Sequence, residues 1–233
     1  MKKHYPWLWF DADGTLFDYN SAETVALQNT FHSLQLPFEE GYLNIYREIN
    51  HRLWQALEKQ EITPAALRFR RFELLLQELQ LNASYEEMSN IYVEQLASCA
   101  ELMDGARDVL ESLHKHSRIA IVTNGLQSVQ RSRLAHSVIK ELISDIIISE
   151  EIGKAKPDAA FFETAAARLA ARFGSCPKTD ILIIGDSLTS DIQGGVNYGI
   201  DTCWYNPGLE PKPDGLPITY EIRRLNELLD LLE

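Results

Sequence analysis

Two aspartates one residue apart close a short apolar run near the start of the chain. The run Trp7–Phe10 leads into Asp11, and Asp13 follows within a turn-forming sequence that contains glycine and threonine. Buried carboxylates are costly unless a cation or a metal ion compensates them. In an open parallel sheet, ligands bind at the carboxyl ends of the strands. The pair therefore indicates either a solvated turn at a strand end or one part of a binding site.

A hydroxyl group and a lysine follow two later apolar runs. Thr123 ends one of them, and the backbone N–H groups of the turn that begins at Asn124 can face an anion. Lys156 stands before a proline, which disfavours the helical conformation of its predecessor, and a helix is expected to start directly afterwards. The Lys156 ammonium group is therefore expected near a helix N-terminus, whereas Lys154 is interpreted as a solvated loop lysine.

Two further aspartates follow the last of these apolar runs. Asp186 comes directly after it, and Asp191 falls in the opening turn of the next predicted helix, where an acid can also interact with the helix dipole. Carboxylates gathered at one sheet edge repel each other unless a hard divalent cation such as Mg²⁺ binds among them. A hydroxyl group, turn amides and an ammonium group suit the oxygens of a phosphoryl group. The combined pattern predicts a site for a divalent cation and a phosphate.

These residues can meet only if the second half of the chain completes a sheet with the first apolar run. Strands are predicted at 5–10, 118–123, 145–148, 180–184 and 202–205. Helices are predicted between and after them, at 104–116, 126–137, 158–172, 189–198 and 220–232. Apolar strands that alternate with helices of this length are typical of βαβ units. The predicted fold class is therefore α/β, with a Rossmann-like parallel sheet as its core.

The chain between the first strand and the rest of the predicted sheet has helical periodicity and no clear strand. Helices are predicted at 21–34, 39–60, 63–79 and 84–100. Thr63 before Pro64 is a typical helix start. The predicted architecture is an α/β core of residues 1–17 and 103–233, with an all-helical domain inserted at 18–102.

The composition limits the classes of partner and the compartment. The chain has 22 basic and 34 acidic residues and a formal net charge of −12, which argues against nucleic acid or an anionic membrane surface as the main partner. No stretch approaches the roughly 20 apolar residues that span a bilayer. Three scattered cysteines without a metal-like spacing indicate a reducing compartment. We therefore expect a cytoplasmic protein with a small phosphorylated ligand.

The four polar stretches occur in the order of the four motifs of the haloacid dehalogenase superfamily of aspartate-nucleophile phosphatases, which the chain resembles. Asp11–Thr15 matches the motif Asp-x-Asp-Gly-Thr. Thr123, Lys156 and Gly185–Asp191 match the other three motifs in order. The helical insertion is similar to the cap that members of this superfamily carry between the first and second motifs.

This resemblance implies a reaction and a role for each matching residue. Asp11 would attack phosphorus, and Asp13 would protonate the leaving alkoxide and then deprotonate the hydrolytic water. Thr123, Asn124 and Lys156 would bind the phosphoryl group. The product of the first step would be an aspartyl-phosphate.

The resemblance also implies a metal cofactor, Mg²⁺ or Mn²⁺. Asp11, the backbone carbonyl of Asp13 and the carboxylate of Asp186 would bind the ion, and Asp191 would support it. The dehalogenases of the superfamily lack an acid at the position of Asp13 and need no metal. The acids at positions 13 and 186 therefore favour a phosphatase.

Within the superfamily, the chain resembles the pyrimidine 5′-nucleotidases of the house-cleaning type, which act on nucleoside monophosphates. The resemblance lies in the insertion at 50–72 and in the segments 148–153 and 191–204. It implies a nucleoside monophosphate as the substrate. The candidate pocket residues of the insertion are Asn20, Trp54, Arg68 and Arg71.

Two alternatives stay open. The same chemistry can act on phosphoglycolate or a sugar phosphate, or can transfer the phosphoryl group to a sugar hydroxyl as the mutases of the superfamily do. A non-catalytic, receiver-like signalling module also combines an aspartate, a hydroxyl residue and a lysine on a parallel sheet. The helical insertion and the pair Asp186 and Asp191 disfavour the signalling module.

Overall fold

A parallel sheet of six strands forms the frame of the α/β unit in the computed structural model, which describes residues 3–59 and 61–232. The strands are β1 (Trp7–Phe10), β2 (Arg118–Thr123), β3 (Asp145–Ile148), β4 (Ile181–Gly185), β5 (Asp201–Tyr205) and β6 (Tyr220–Ile222). Their order is β3-β2-β1-β4-β5-β6, and all neighbouring pairs are parallel. The four strands that precede the predicted site residues are therefore neighbours in the sheet, and the α/β fold class is confirmed.

The segment after β1 forms a second unit, Tyr19–Cys99, in which the structure describes four helices. These helices are α1 (Tyr19–Ser33), α2 (Tyr42–Glu58), α3 (Pro64–Glu78) and α4 (Tyr85–Ser98). The Thr63 hydroxyl caps α3 by accepting a hydrogen bond from the Ala66 backbone N–H at 3.2 Å. The predicted end of the second helix at Gln60 lies outside the described residues.

The boundaries between the two units fall after residues 18 and 99, whereas the predicted boundaries fall after residues 17 and 102. Residues 1, 2 and 233 of the predicted core lie outside the described residues. Three aromatic rings pack in the interior of the helical unit, with centroids 5.1 to 5.7 Å apart: Tyr46, Phe72 and Tyr92. None of the described helices is long and apolar enough to cross a membrane.

The helices of the α/β unit follow its strands along the chain. They are α5 (Ala106–Leu113), α6 (Gln127–His136), α7 (Ser149–Ile152), α8 (Ala159–Phe173), α9 (Gln193–Tyr198) and α10 (Leu228–Leu231). A π-helical turn, Leu188–Ile192, leads into α9. Short 3-10 turns occupy Lys140–Leu142, Lys178–Asp180 and Leu225–Glu227.

The central strand β1 is buried on both faces, as parallel sheets covered by helices require. Leu8 and Phe10 belong to an apolar cluster that also contains residues of α5 and α10. Trp7 and Trp9 point to the opposite face and pack in a cluster with α8. Apolar packing on both faces fixes the position of β1, and this also fixes the position of Asp11 at its end.

The prediction of a single helix over 220–232 was wrong. Tyr220–Ile222 instead forms β6, which pairs with β5 at the edge of the sheet, and only Leu228–Leu231 is α-helical. Glu221 is exposed between the partly buried Tyr220 and the buried Ile222, which is the alternation of a strand. Three residues are too few to reveal this period in a sequence next to a leucine-rich run.

Candidate active site

Lys156 bridges Asp11, which follows β1, and Asp191, which lies in the π-helical turn before α9. Its Nζ donates hydrogen bonds to Asp11 Oδ1 at 2.5 Å, to Asp191 Oδ1 at 2.6 Å and to the Val122 carbonyl at 2.7 Å. The Lys156 side chain is only 1% exposed, so these three acceptors use all the donors of a buried ammonium group. The competing residue, Lys154, is exposed. The structure therefore brings Lys156, and not Lys154, to the aspartates.

Burial and charge shift the pKa values of these groups in opposing ways. Burial raises the pKa of the Asp11 carboxyl well above its usual range, and the charge of Lys156 acts in the opposite direction. Burial lowers the pKa of Lys156, but the charges of Asp11 and Asp191 outweigh it and the net pKa is raised. The lysine therefore stays protonated, and its positive charge favours the ionised form of Asp11 that burial disfavours.

Asp186 is held at the end of β4 by the turn after β1. Thr15 Oγ1 donates to Asp186 Oδ1 at 3.0 Å and accepts from the Asp186 backbone N–H at 3.1 Å. Gly14 has a φ of +85°, and a Cβ at this position would lie 2.7 Å from Asp186 Oδ2. The turn therefore requires glycine for its backbone conformation and for the approach of the carboxylate. Burial and the charge of Asp191 raise the pKa of Asp186 to about 7.

The carboxylates of Asp11, Asp186 and Asp191 form a donor set that fits a hard divalent cation. One oxygen of each lies within 4.8 Å of the others. Three carboxylates face one ammonium group, so the cluster has an excess of negative charge that Mg²⁺ or a similar ion would neutralise. Both Asp191 oxygens already accept hydrogen bonds, from Lys156 Nζ at 2.6 Å and from the Ser187 backbone N–H at 3.0 Å. Asp11 and Asp186 are therefore the better candidates for direct ligands, and Asp191 for a supporting residue.

Thr123 and Asn124 organise the turn after β2. Thr123 Oγ1 accepts a hydrogen bond from the Gly125 N–H at 3.0 Å. The Asn124 side chain makes a pair of hydrogen bonds to the backbone of Lys156, with Nδ2 donating to its carbonyl and Oδ1 accepting from its N–H, both at 2.9 Å. The Asn124 side chain thus fixes the lysine loop, while phosphate binding by the backbone of this turn stays a prediction.

The Asp13 carboxylate interacts with side chains of α6. Its Oδ2 accepts a hydrogen bond from Gln130 Nε2 at 2.5 Å, and its Oδ1 accepts one from Arg133 Nη1 in a salt bridge. Gln130 and Arg133 are 1% and 0% exposed. Neither residue was predicted from the sequence as part of the site. Their spacing of three, which places both on one face of the helix after the Thr-Asn-Gly turn, was the available signal.

The predicted pocket residues of the helical unit differ in their surroundings. Three of them are exposed or partly exposed: Asn20, Trp54 and Arg68. Arg71 is instead buried within that unit, where Nη1 donates to Asn50 Oδ1 at 3.4 Å and the guanidinium carbon lies 4.8 Å from the ring centroid of Tyr92. Contact between any of the four and a substrate stays a prediction.

Comparison with known proteins gives consistent results along almost the whole chain. Residues 8–205 match the family model described as haloacid dehalogenase-like hydrolase. The chain is 36% identical to the HAD-hydrolase YfnB of Bacillus subtilis, over 99% of this chain and 96% of YfnB. It is also 36% identical to the pyrimidine 5′-nucleotidase PynA of Streptococcus pneumoniae, over 98% of this chain and 95% of PynA. Its identity to the pyrimidine 5′-nucleotidase YjjG of Escherichia coli is 31%, over 98% of both chains.

A solved structure is similar to this chain in fold as well as in sequence. The crystal structure of YfnB bound to magnesium matches it with a TM-score of 0.92 at 36% identity. The match covers 99% of this chain and 100% of the YfnB chain.

Proposed function

The chain belongs to the haloacid dehalogenase-like hydrolase family, and we propose that it is a Mg²⁺-dependent 5′-nucleotidase that dephosphorylates pyrimidine nucleoside monophosphates in the cytoplasm. The observation that carries this proposal is the convergence of three residues from separate parts of the chain: Asp11 after β1, Lys156 in the loop after β3 and α7, and Asp186 after β4. The substrate class rests on the similarity to PynA and YjjG, which are pyrimidine 5′-nucleotidases.

Asp11 acts as the nucleophile in this proposal. Lys156 binds Oδ1 of the carboxylate and fixes its direction. The Asp11 oxygen forms a bond to phosphorus while the bond from phosphorus to the 5′-oxygen breaks, which gives an aspartyl-phosphate and the nucleoside alkoxide. Water then attacks phosphorus, the bond from phosphorus to the Asp11 oxygen breaks, and inorganic phosphate and a free Asp11 carboxylate result, so that two easier steps replace one difficult step.

Asp13 transfers the protons of both steps. It gives a proton to the leaving 5′-oxygen and later takes one from the attacking water. A general acid and base of this kind contributes about 10²–10⁴-fold to the rate. Because nucleoside alkoxides are strongly basic, the first step depends on this proton.

The phosphoryl group is bound by positive and polar groups around the end of β2. The Thr123 hydroxyl and the backbone N–H groups of the turn at Asn124 are the donors for its oxygens, and the Lys156 ammonium group adds positive charge beside them. Mg²⁺ held by Asp11, Asp186 and the backbone carbonyl of Asp13 would neutralise phosphoryl charge, as divalent ions do in phosphoryl transfer.

A substrate panel tests the proposal. Phosphate release is measured with nucleoside monophosphates, phosphoglycolate and sugar phosphates, in the presence of Mg²⁺, Mn²⁺ or EDTA. We expect the highest kcat/KM with pyrimidine nucleoside monophosphates and no turnover in EDTA. The Asp11→Asn variant, purified in the same way, controls for a contaminating phosphatase. A preference for phosphoglycolate or a sugar phosphate would contradict the nucleotidase assignment, and full activity in EDTA would contradict the metal requirement.

A further inference from the structure

Two buried side chains of α6 bind the carboxylate of Asp13, and we infer that Gln130 and Arg133 position Asp13 for proton transfer. This inference rests on the proposed function, in which Asp13 is the general acid and base. It assigns a role to two residues that lie outside the four motifs of the family. Neither is expected to touch the substrate, so both are positioning residues.

The two donors bind different oxygens of the same carboxylate. Gln130 Nε2 lies 2.5 Å from Oδ2, and Arg133 Nη1 donates to Oδ1. One hydrogen bond leaves a carboxyl group free to rotate, whereas two bonds to separate oxygens fix both the direction of the group and the plane in which it lies. Each oxygen keeps a second lone pair, which is available to carry a proton.

The Gln130 side chain packs against the turn after β2 where it reaches Asp13. A Cβ at Gly125 would lie 2.3 Å from Gln130 Nε2, so the glutamine amide occupies the space that a side chain at 125 would need. The Gln130 Oε1 atom is buried and has no hydrogen-bond partner among the described residues. The amide therefore makes its bond to Asp13 while its own acceptor is unsatisfied, and the orientation of Gln130 is set by Asp13.

Arg133 is fixed between Asp13 and an aromatic ring. Its guanidinium carbon lies 5.8 Å from the ring centroid of Phe17. The backbone of Phe17 is itself bound to the Asp13 turn, because the Gly14 N–H donates to the Phe17 carbonyl at 2.9 Å. A fully buried guanidinium group requires a negative partner, and the Asp13 carboxylate supplies it. The salt bridge from Arg133 to Asp13 therefore connects α6 to the turn after β1.

The consequence for the reaction is geometric. A proton reaches the leaving oxygen only when the Asp13 carboxyl group faces it as the bond from phosphorus to oxygen breaks. A carboxyl group that rotates spends much of its time in unproductive orientations, and misplaced catalytic groups lose much of their effect. Loss of Gln130 or Arg133 should therefore impair the step that needs a proton and leave the other contacts of the site in place.

Two substrates that differ in the leaving group separate positioning from general damage. Nucleoside monophosphates release an alkoxide that needs a proton, whereas p-nitrophenyl phosphate releases a phenolate that does not. The ratio kcat/KM reports the steps up to release of the alcohol or phenolate, so it isolates the first proton transfer. For Gln130→Leu, and for the isosteric Gln130→Glu, we expect kcat/KM on the nucleotide to fall about 10- to 100-fold. On p-nitrophenyl phosphate, kcat/KM should stay close to the wild-type value.

One control variant changes another residue of α6, and a second makes a conservative change at position 133. Arg131→Met breaks an exposed ion pair with Glu151 and should change neither ratio. Arg133→Met should give the same selective loss as Gln130→Leu, and Arg133→Lys should recover part of it because it keeps the charge. If Arg133→Met does not fold, the Gln130 variants provide the test.

Three outcomes would count against the inference. Equal losses on both substrates would show a purely structural role, and unchanged values on both would show that the contacts do not matter for proton transfer. Either result, obtained with an active wild-type enzyme, overturns the positioning role and leaves the proposed function intact. A wild-type protein that hydrolyses neither substrate would overturn the proposed function, and this inference with it.

Discussion

Lys156 Nζ lies 2.5 Å from Asp11 Oδ1, although 145 positions separate the two residues in the chain. The contact joins the end of β1 to the loop that follows β3 and α7, and β2 lies between these strands in the sheet. Because both side chains are buried, each supplies the charge that the other needs. The reactivity of Asp11 and the stability of this part of the core therefore depend on the same ion pair.

Replacement of Lys156 tests that dependence. Lys156→Ala is expected to lower kcat/KM by about 10²–10³-fold or more, as when a donor to developing charge is removed from an active site. It should also lower the free energy of unfolding in EDTA by about 3–5 kcal/mol, because Asp11 and Asp191 lose their buried cation. Enzyme kinetics and urea denaturation measure the two effects. The matched control is Lys154→Ala, an exposed lysine two positions away, which should change both quantities little. A larger effect at Lys154 would contradict the assignment.

Gly14 provides a test of the geometry around Asp186. Gly14→Ala would place a Cβ 2.7 Å from Asp186 Oδ2 in a residue with φ of +85°. Gly199→Ala is the control, because Gly199 has the same φ and no heavy atom within 4 Å of the added Cβ. Both variants should lose about 1–2 kcal/mol of stability from backbone strain. Only Gly14→Ala should also lower kcat and weaken Mg²⁺ binding by calorimetry; equal activity in the two variants would show that the Asp186 contact has no functional role.

The raised pKa of Asp186 predicts how the metal-free protein responds to pH. Its pKa rises from 3.8 to about 7 on folding, so the folded state binds more protons than the unfolded chain between these values. The free energy of unfolding in EDTA should therefore fall as the pH rises through this range. Asp11 shifts in the same direction and adds to the effect. Thermal denaturation from about pH 5 to pH 8 measures it, and Asp186→Asn should flatten the curve.

Mg²⁺ should reverse this loss of stability. The ion binds ionised carboxylates, so its binding is expected to compete with protons at Asp11 and Asp186. The increase in Tm on addition of Mg²⁺ should be larger at about pH 8 than at about pH 6, and Asp186→Asn should abolish most of it. An increase in Tm that is independent of pH, or that persists in Asp186→Asn, would place the ion elsewhere.

The sequence was sufficient to predict that Asp11 and Asp186 lie at strand ends and come close together. Asp11 and Asp186 follow short, continuously apolar strands, and the order of a parallel sheet brings such ends together. The sequence did not reveal Gln130 and Arg133, whose contacts with Asp13 span 117 and 120 positions. These contacts depend on how α6 packs against the turn after β1, and the spacing of three between the two residues shows only that they share one face of the helix.

The contacts of the Asn124 side chain were also not predicted from the sequence. Its turn resembled a phosphate-binding loop, but both polar atoms of the side chain bind the backbone of Lys156. The edge strand β6 was not predicted for a different reason. Its three residues are too few to show the alternation of a strand, and the leucines that follow favour a helix. The helical insertion, in contrast, was evident from its long periodic segments and its cap at Thr63.

The central claim is that the phosphoryl group passes through Asp11. The most direct measurement is mass mapping of peptides from the Asp13→Asn variant, quenched in acid after incubation with Mg²⁺ and p-nitrophenyl phosphate, whose leaving group needs no proton from Asp13. Without the base that activates water, the phosphorylated enzyme should accumulate, and the added phosphate should map to Asp11. The double variant Asp11→Asn with Asp13→Asn should carry none. Phosphate on another residue, or substrate turnover by a protein in which Asp11 is replaced, would contradict the account.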